Sequence, residues 1–147
     1  MPEIRNAAES ATELSRYVWT DAWLLLAIRF AAGDDMNASL ASTFQLADAI
    51  EHAMPTKDEM DGAIGRLSRA EYIQYANGTV AILEAGRILV ERSAHGARNV
   101  RDQQQAIERE LNAMPWSEQY HPSSARAGEA EFISSGEWDR LMAPYRE

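Results

Sequence analysis

Asp48 and His52 stand four residues apart in the stretch STFQLADAIEHAM. On a helix that spacing puts a carboxylate and an imidazole on one face, with Glu51 beside them. Such a pair can ligate a divalent metal or act as a general base. Either role needs a further group, and the sequence specifies none; the other histidines are His95 and His121. The plainer reading is an Asp that orients a His. The chain has no cysteine, which excludes disulfides, thiolate zinc sites and a cysteine nucleophile. It lacks a G-x-S-x-G elbow, a phosphate-binding glycine loop and a dinucleotide fingerprint. Ser93 is close to His95 in sequence, but nothing points to the acid that would orient such a base. The expectation is a non-enzymatic protein with no cofactor and no metal.

The second chemistry on offer is phosphate contact. Arg87, Arg92, Arg98 and Arg101, with His95, have only Glu91 among them. A phosphate could sit there, although a solvated helix surface explains the same pattern. The whole chain opposes that attraction: 14 basic and 23 acidic residues give a net charge of −9. An acidic balance disfavours non-specific binding to nucleic acid and to anionic lipid. The most apolar run, Ala22 to Ile28, is far short of the roughly 20 residues of a membrane span. The opening MPEIRNAAES carries no apolar signal core. A cytoplasmic protein with no membrane contact is expected. A third option is a small-molecule pocket among Trp19, Trp23, Trp116 and Trp138, against which stands the ordinary use of large aromatics as core.

Hydrophobic spacing predicts the elements that must position these groups. Residues 3–18 carry a thin alanine-rich stripe, read as a helix that packs on a partner element or a second subunit. Thr20 is the expected cap of the next helix, Asp21 suits the positive end of its dipole, and Gly33 ends it. That helix is apolar nearly all round, so Trp23, Leu24, Leu26, Ile28 and Phe30 are expected in the core. Leu40, Phe44, Ala47, Ile50 and Met54 predict a second amphipathic helix, stopped by Pro55. Thr56 with Glu59 forms a capping box for a third, whose buried face is Met60, Ile64 and Leu67. Tyr72 to Ala76 and Thr79 to Leu83 flank Asn77-Gly78, the signature of a tight hairpin. A helix resumes at Glu84, breaks near His95-Gly96, and continues over 98–113 with Val100, Ile107, Leu111 and Met114 on one side. That side suits an antiparallel or subunit contact. Residues 115–131 have no period; Trp116 and Tyr120 would anchor them. Residues 132–147 are too aromatic for a free tail, with Ser135 capping a short helix that carries Trp138, Leu141 and Met142.

Three helices, a hairpin and a helix follow the order of a winged helix-turn-helix. Residues 21–90 resemble the winged-helix domains of MarR- and PadR-type regulators. STFQLADAIEHAM stands for the first helix of the motif, PTKDEMDGAIGRLSRAEYI for the recognition segment, the Asn-Gly hairpin for the wing, and ILEAGRIL for the start of the following helix. The family usually has Leu-Thr-x-x-Gly in the last segment, and here it is Ile82-Leu83-Glu84-Ala85-Gly86. It often has a glycine before the wing, where this chain has Arg69-Ala70-Glu71. The resemblance implies a mainly α fold with a small β-hairpin. It divides the chain into an N-terminal helix (1–19), a winged-helix domain (20–92), a C-terminal helix with a possible dimer contact (93–114), and an irregular segment with a docked aromatic tail (115–147).

If the domain binds DNA, Lys57, Arg66, Arg69, Asn77, Arg87 and Arg92 are the residues to do it. Over 21–90, however, ten acids against five bases leave −5. The recognition segment opens on Lys57-Asp58-Glu59-Met60-Asp61, and the wing tip carries no cation. The expected function is therefore a winged-helix regulatory or protein-interaction module with weak or absent DNA binding, partnered by another protein or by itself. The alternative is a dimeric DNA-binding transcriptional regulator.

Overall fold

The computed structural model describes residues 17–113 and 132–146. Helix α1 (Trp19–Ala31) is followed by strand β1 (Asn37–Ser39), helices α2 (Leu40–Glu51) and α3 (Lys57–Arg69), and strands β2 (Ile73–Ala76) and β3 (Thr79–Ile82). Helices α4 (Glu84–Ser93), α5 (Val100–Ala113) and α6 (Ser135–Met142) come next, with a 3-10 turn at Ala143–Tyr145. The fold is mainly helical, with one small antiparallel sheet in the order β1-β3-β2.

Helix α1 lies at the centre. Every residue from Ala22 to Ile28 is buried, and α2, α3 and α5 pack around it. A helix apolar on all sides can be satisfied only by neighbours on all sides. Three details depart from the sequence expectation. Phe30 is 45% exposed, because α1 emerges from the core in its last turn. The N-cap is Val18 and not Thr20, so Asp21 falls inside the first turn and is buried. The helix ends at Ala31, with Ala32 as the cap, two residues ahead of Gly33.

Helices α2 and α3 start on side-chain caps. The Ser39 hydroxyl accepts the Ser42 N–H at 3.0 Å. At α3 the Thr56 hydroxyl accepts the Glu59 N–H at 3.1 Å, and the Glu59 carboxylate accepts the Thr56 N–H at 2.9 Å. That is the expected capping box. Met60, Ile64 and Leu67 are buried as expected. In α2, Leu40, Phe44 and Ala47 are buried. Met54 is 50% exposed, since α2 stops at Glu51 before the period reaches it.

The hairpin has the predicted turn, with φ of 51° at Asn77 and 79° at Gly78. Strand β1 has no counterpart in the sequence reading. Asn37-Ala38-Ser39 is short and carries no β-branched residue, but it pairs with Thr79–Ala81 of β3. Bonds from the Ile82 N–H to the Met36 carbonyl (2.8 Å) and from the Leu40 N–H to the Gly78 carbonyl (2.9 Å) continue the ladder at both ends.

Two backbone positions shape the approach to the hairpin and the exit from it. Glu71 takes φ of 63° in the link from α3 to β2, a left-handed conformation that a non-glycine residue adopts at some cost. Gly86 sits over the residue that leads into β2: a Cβ there would collide with the Tyr72 carbonyl oxygen, which already accepts the Leu83 N–H at 2.9 Å. Only glycine lets α4 start this close to that backbone. Beyond it, α4 buries Leu89 and Val90 while Ile88 remains exposed.

Helix α5 buries Gln104, Ile107 and Leu111 and packs on α1 and α4. The side expected to make an antiparallel or a subunit contact packs inside the chain; Val100 stays exposed, and Met114 lies outside the described residues. The tail docks. Ile133 is fully buried, Leu141 nearly so, and Phe132, Trp138 and Met142 partly. Its cap is Ser134, one residue earlier than expected, with the hydroxyl accepting the Glu137 N–H at 3.1 Å. The helix expected over 3–18 lies outside the described residues apart from Tyr17 and Val18, which are not helical. Trp116 and Tyr120 also lie outside them. Among the described residues, no helix is long and apolar enough to cross a membrane.

Candidate functional site

Helix α3 is where the residue-level chemistry collects, and its flanks meet different partners. On one flank, Arg66 reaches Asp21 at the start of α1. Its Nε donates to both carboxylate oxygens, at 2.8 and 3.0 Å, and the Val18 N–H donates to the same group at 2.8 Å. Asp21 is fully buried. Desolvation pushes its pKa up to about 6 against the pull of the Arg66 guanidinium, and Glu108 adds to the rise. A cation assigned to DNA is therefore spent on a buried carboxylate.

The other candidate cations are also engaged. Lys57 Nζ is 2.8 Å from Asp61, one turn along α3. Arg87 donates to Glu91 at 2.7 Å, and Arg29 approaches the same carboxylate at 3.5 Å. Arg92 Nε donates to Glu110 at 2.6 Å, which ties α4 to α5. Arg69 is exposed in the last turn of α3, and Asn77 occupies the hairpin tip. Of the late basic stretch, His95 and Arg98 line a concavity of about 320 Å³ at the α4–α5 corner, with Asp102 and Arg109 also in its wall. Arg98 there lies 3.6 Å from Asp102.

The Asp48–His52 pair does not form the shared helical face. His52 is the C-cap of α2 in a left-handed conformation, φ 56°, so its side chain leaves the helical register. The bond that joins the two residues is main-chain, from the His52 N–H to the Asp48 carbonyl at 2.6 Å. Glu51, beside them in sequence, accepts Trp19 Nε1 at 3.1 Å and Gln104 Nε2 at 3.2 Å, and so links α1, α2 and α5. Among the described residues no group of three His, Asp or Glu side chains could hold a metal ion. The three described tryptophans each meet α2: Trp19 at Glu51, Trp23 Nε1 at the Ala47 carbonyl (2.9 Å) and Trp138 at Phe44.

The second flank of α3 carries the tail, and this seat was not anticipated. Asp61 accepts the Ile133 N–H at 2.8 Å. One turn on, Gly65 leaves room for Phe132: a Cβ there would stand 3.1 Å from its ring. From the hairpin, the Tyr75 hydroxyl donates to Glu137 at 2.6 Å, and the Tyr75 ring meets Phe132 edge-on at 6.4 Å. From α2, Phe44 takes Trp138 at 6.0 Å and Tyr145 at 5.3 Å between ring centroids. Burial and the adjacent carboxylate push the Tyr75 hydroxyl well above its ordinary pKa. The same bond holds Glu137 below its own. The donor and acceptor roles are thus fixed at neutral pH. The available sequence signal was Gly65 itself, since a glycine inside a helix costs about 1 kcal/mol against alanine and calls for a reason.

No known family model, curated protein or solved structure matches this chain.

Proposed function

We propose that residues 20–92 form a winged-helix module used for regulation or protein interaction, with weak or absent DNA binding and no catalytic role. The element order, with a three-residue strand ahead of α2 and a hairpin after α3, agrees with that fold. So do two backbone details. Glu71 adopts a positive φ, which favours glycine, in the stretch before the wing where the resembled family often has one. Gly86 stands where that family's Leu-Thr-x-x-Gly glycine falls, and the closeness of Tyr72 explains why the position needs it.

The observation that carries the functional half is the state of the cations on α3. A phosphate-binding helix presents its Lys and Arg to solvent. Here Arg66 is committed to buried Asp21, and Lys57 to Asp61. A DNA backbone would have to outcompete carboxylates already in place. A partner protein can instead meet acids that lie at the surface, such as exposed Asp58 in the first turn of α3. The test is fluorescence anisotropy with random duplex and with a genomic-fragment selection across a salt series. The expected result is no binding tighter than about 10 μM at physiological salt, within the ordinary non-specific range. A selected site bound at nanomolar affinity, falling steeply with salt and lost in Arg69→Ala, would make the protein a dimeric transcriptional regulator instead.

A further inference from the structure

The face built by α2, α3 and the hairpin is occupied, and its occupant belongs to the same chain. We infer that residues 132–146 are a built-in competitor, closing a docking surface whose external ligand is an amphipathic helix of the same chemistry: an aromatic-aliphatic pair, a serine cap, an acid at the third helical position, then Trp and Leu three residues apart. The inference rests on the reading of this face as one that meets protein.

The seat recognises general features of such a helix. Asp61 accepts a main-chain N–H, that of Ile133, and every non-proline residue at that position supplies one. Tyr75 donates to Glu137, the carboxylate of the helix's own capping box, so the hydroxyl reads a property of capped helix starts. The Gly65 gap admits an aromatic ring, and Phe44 offers a further aromatic surface to Trp138. None of these contacts buries an ion pair, and the tail is only partly enclosed: Phe132, Trp138 and Met142 keep part of their surface in solvent. A segment of the same chain competes by effective concentration, which tethering can raise into the millimolar range. Lower its intrinsic affinity and an untethered helix can take its place.

The experiment uses the full chain and, as probe, a labelled peptide of residues 132–146. The native protein is expected to bind the peptide only at high concentration. The double variant Trp138→Ala/Leu141→Ala weakens the tethered copy, and its affinity for the native-sequence peptide should rise at least tenfold by anisotropy, given a millimolar internal competitor. Adding Gly65→Met, which fills the Phe132 gap, should abolish that gain. Should the double variant lose its thermal transition, Glu137→Gln is the milder release, with an expected gain of about threefold and the native transition as the check on folding. Random duplex at low salt forms the parallel arm. No gain in peptide binding by a folded release variant, with no DNA binding either, overturns the inference and leaves the proposed function standing. Salt-sensitive DNA binding in place of peptide binding overturns both, because the tail would then be covering a nucleic-acid surface.

Discussion

The two flanks of α3 solve opposite problems. On the α1 side, one guanidinium meets one carboxylate with no water around the acid: Asp21 is 0% exposed and three hydrogen bonds converge on it. On the tail side, the polar contacts are a main-chain N–H on Asp61 and a hydroxyl on Glu137, both on carboxylates that keep some exposure. Removing half of a buried ion pair leaves a charge with nowhere to go, whereas removing half of a surface hydrogen bond lets water replace it. The first contact is therefore part of the fold, and the second is a reversible closure.

The strongest way to break this comparison is Arg66→Met. It leaves Asp21 buried without its cation and should cost about 3–5 kcal/mol in urea unfolding at pH 7. At pH 5 the loss should be smaller, because Asp21 then takes a proton. Equal losses at both pH values would show that Asp21 is not the group responsible. Next in size is the pH dependence itself. Asp21 has a folded pKa of about 6 against an ordinary 3.8, so the folded state holds its proton more tightly. Its contribution to stability is complete below pH 4 and is lost as pH rises through 6. A rise of about two units corresponds to roughly 3 kcal/mol at most. Asp21→Asn should flatten the wild-type curve by up to that amount between pH 4 and 7. A difference curve without slope would disprove the assignment.

On the tail side the effects shrink. Trp138→Ala should cost about 2 kcal/mol, below the 3–5 of a fully buried tryptophan. The amides of Ile133 and Trp138 should exchange faster while those of Leu24 to Ile28 keep their protection. Equal acceleration in both sets would mean that tail and core open together. Smallest of all, Tyr75→Phe should change stability by no more than about 1 kcal/mol while speeding tail exchange. A larger loss would place the Tyr75–Glu137 bond in the same class as Asp21–Arg66.

What could be read from the sequence was local. Thr56 with Glu59, and Asn77 with Gly78, encode a helix start and a turn within four residues, and both are present. The central helix was legible because no face of residues 22–28 is polar. Sequence reading failed where a partner is distant. Asp21 looked like a dipole complement because its guanidinium lies 45 residues away. Strand β1 was invisible because Asn-Ala-Ser is extended through pairing with β3 rather than by its own preference. His52 was placed on a helix face because periodicity does not mark a left-handed cap. For the tail, aromatic content announced docking and Gly65 inside a helix marked a close approach, but nothing local tied that glycine or Asp61 to residues 132–133.

The central position of α1 also has a consequence for how the chain is made. α1 is translated before the three helices that pack around it, and the last of these, α5, ends at Ala113. A ribosome adds about 5–20 residues per second, so the most apolar segment spends seconds without its cover. Its run WLLLAI is then an open ligand for chaperones or for another nascent chain. The acidic segments that follow keep the unfinished polypeptide dispersed by like-charge repulsion until α5 arrives.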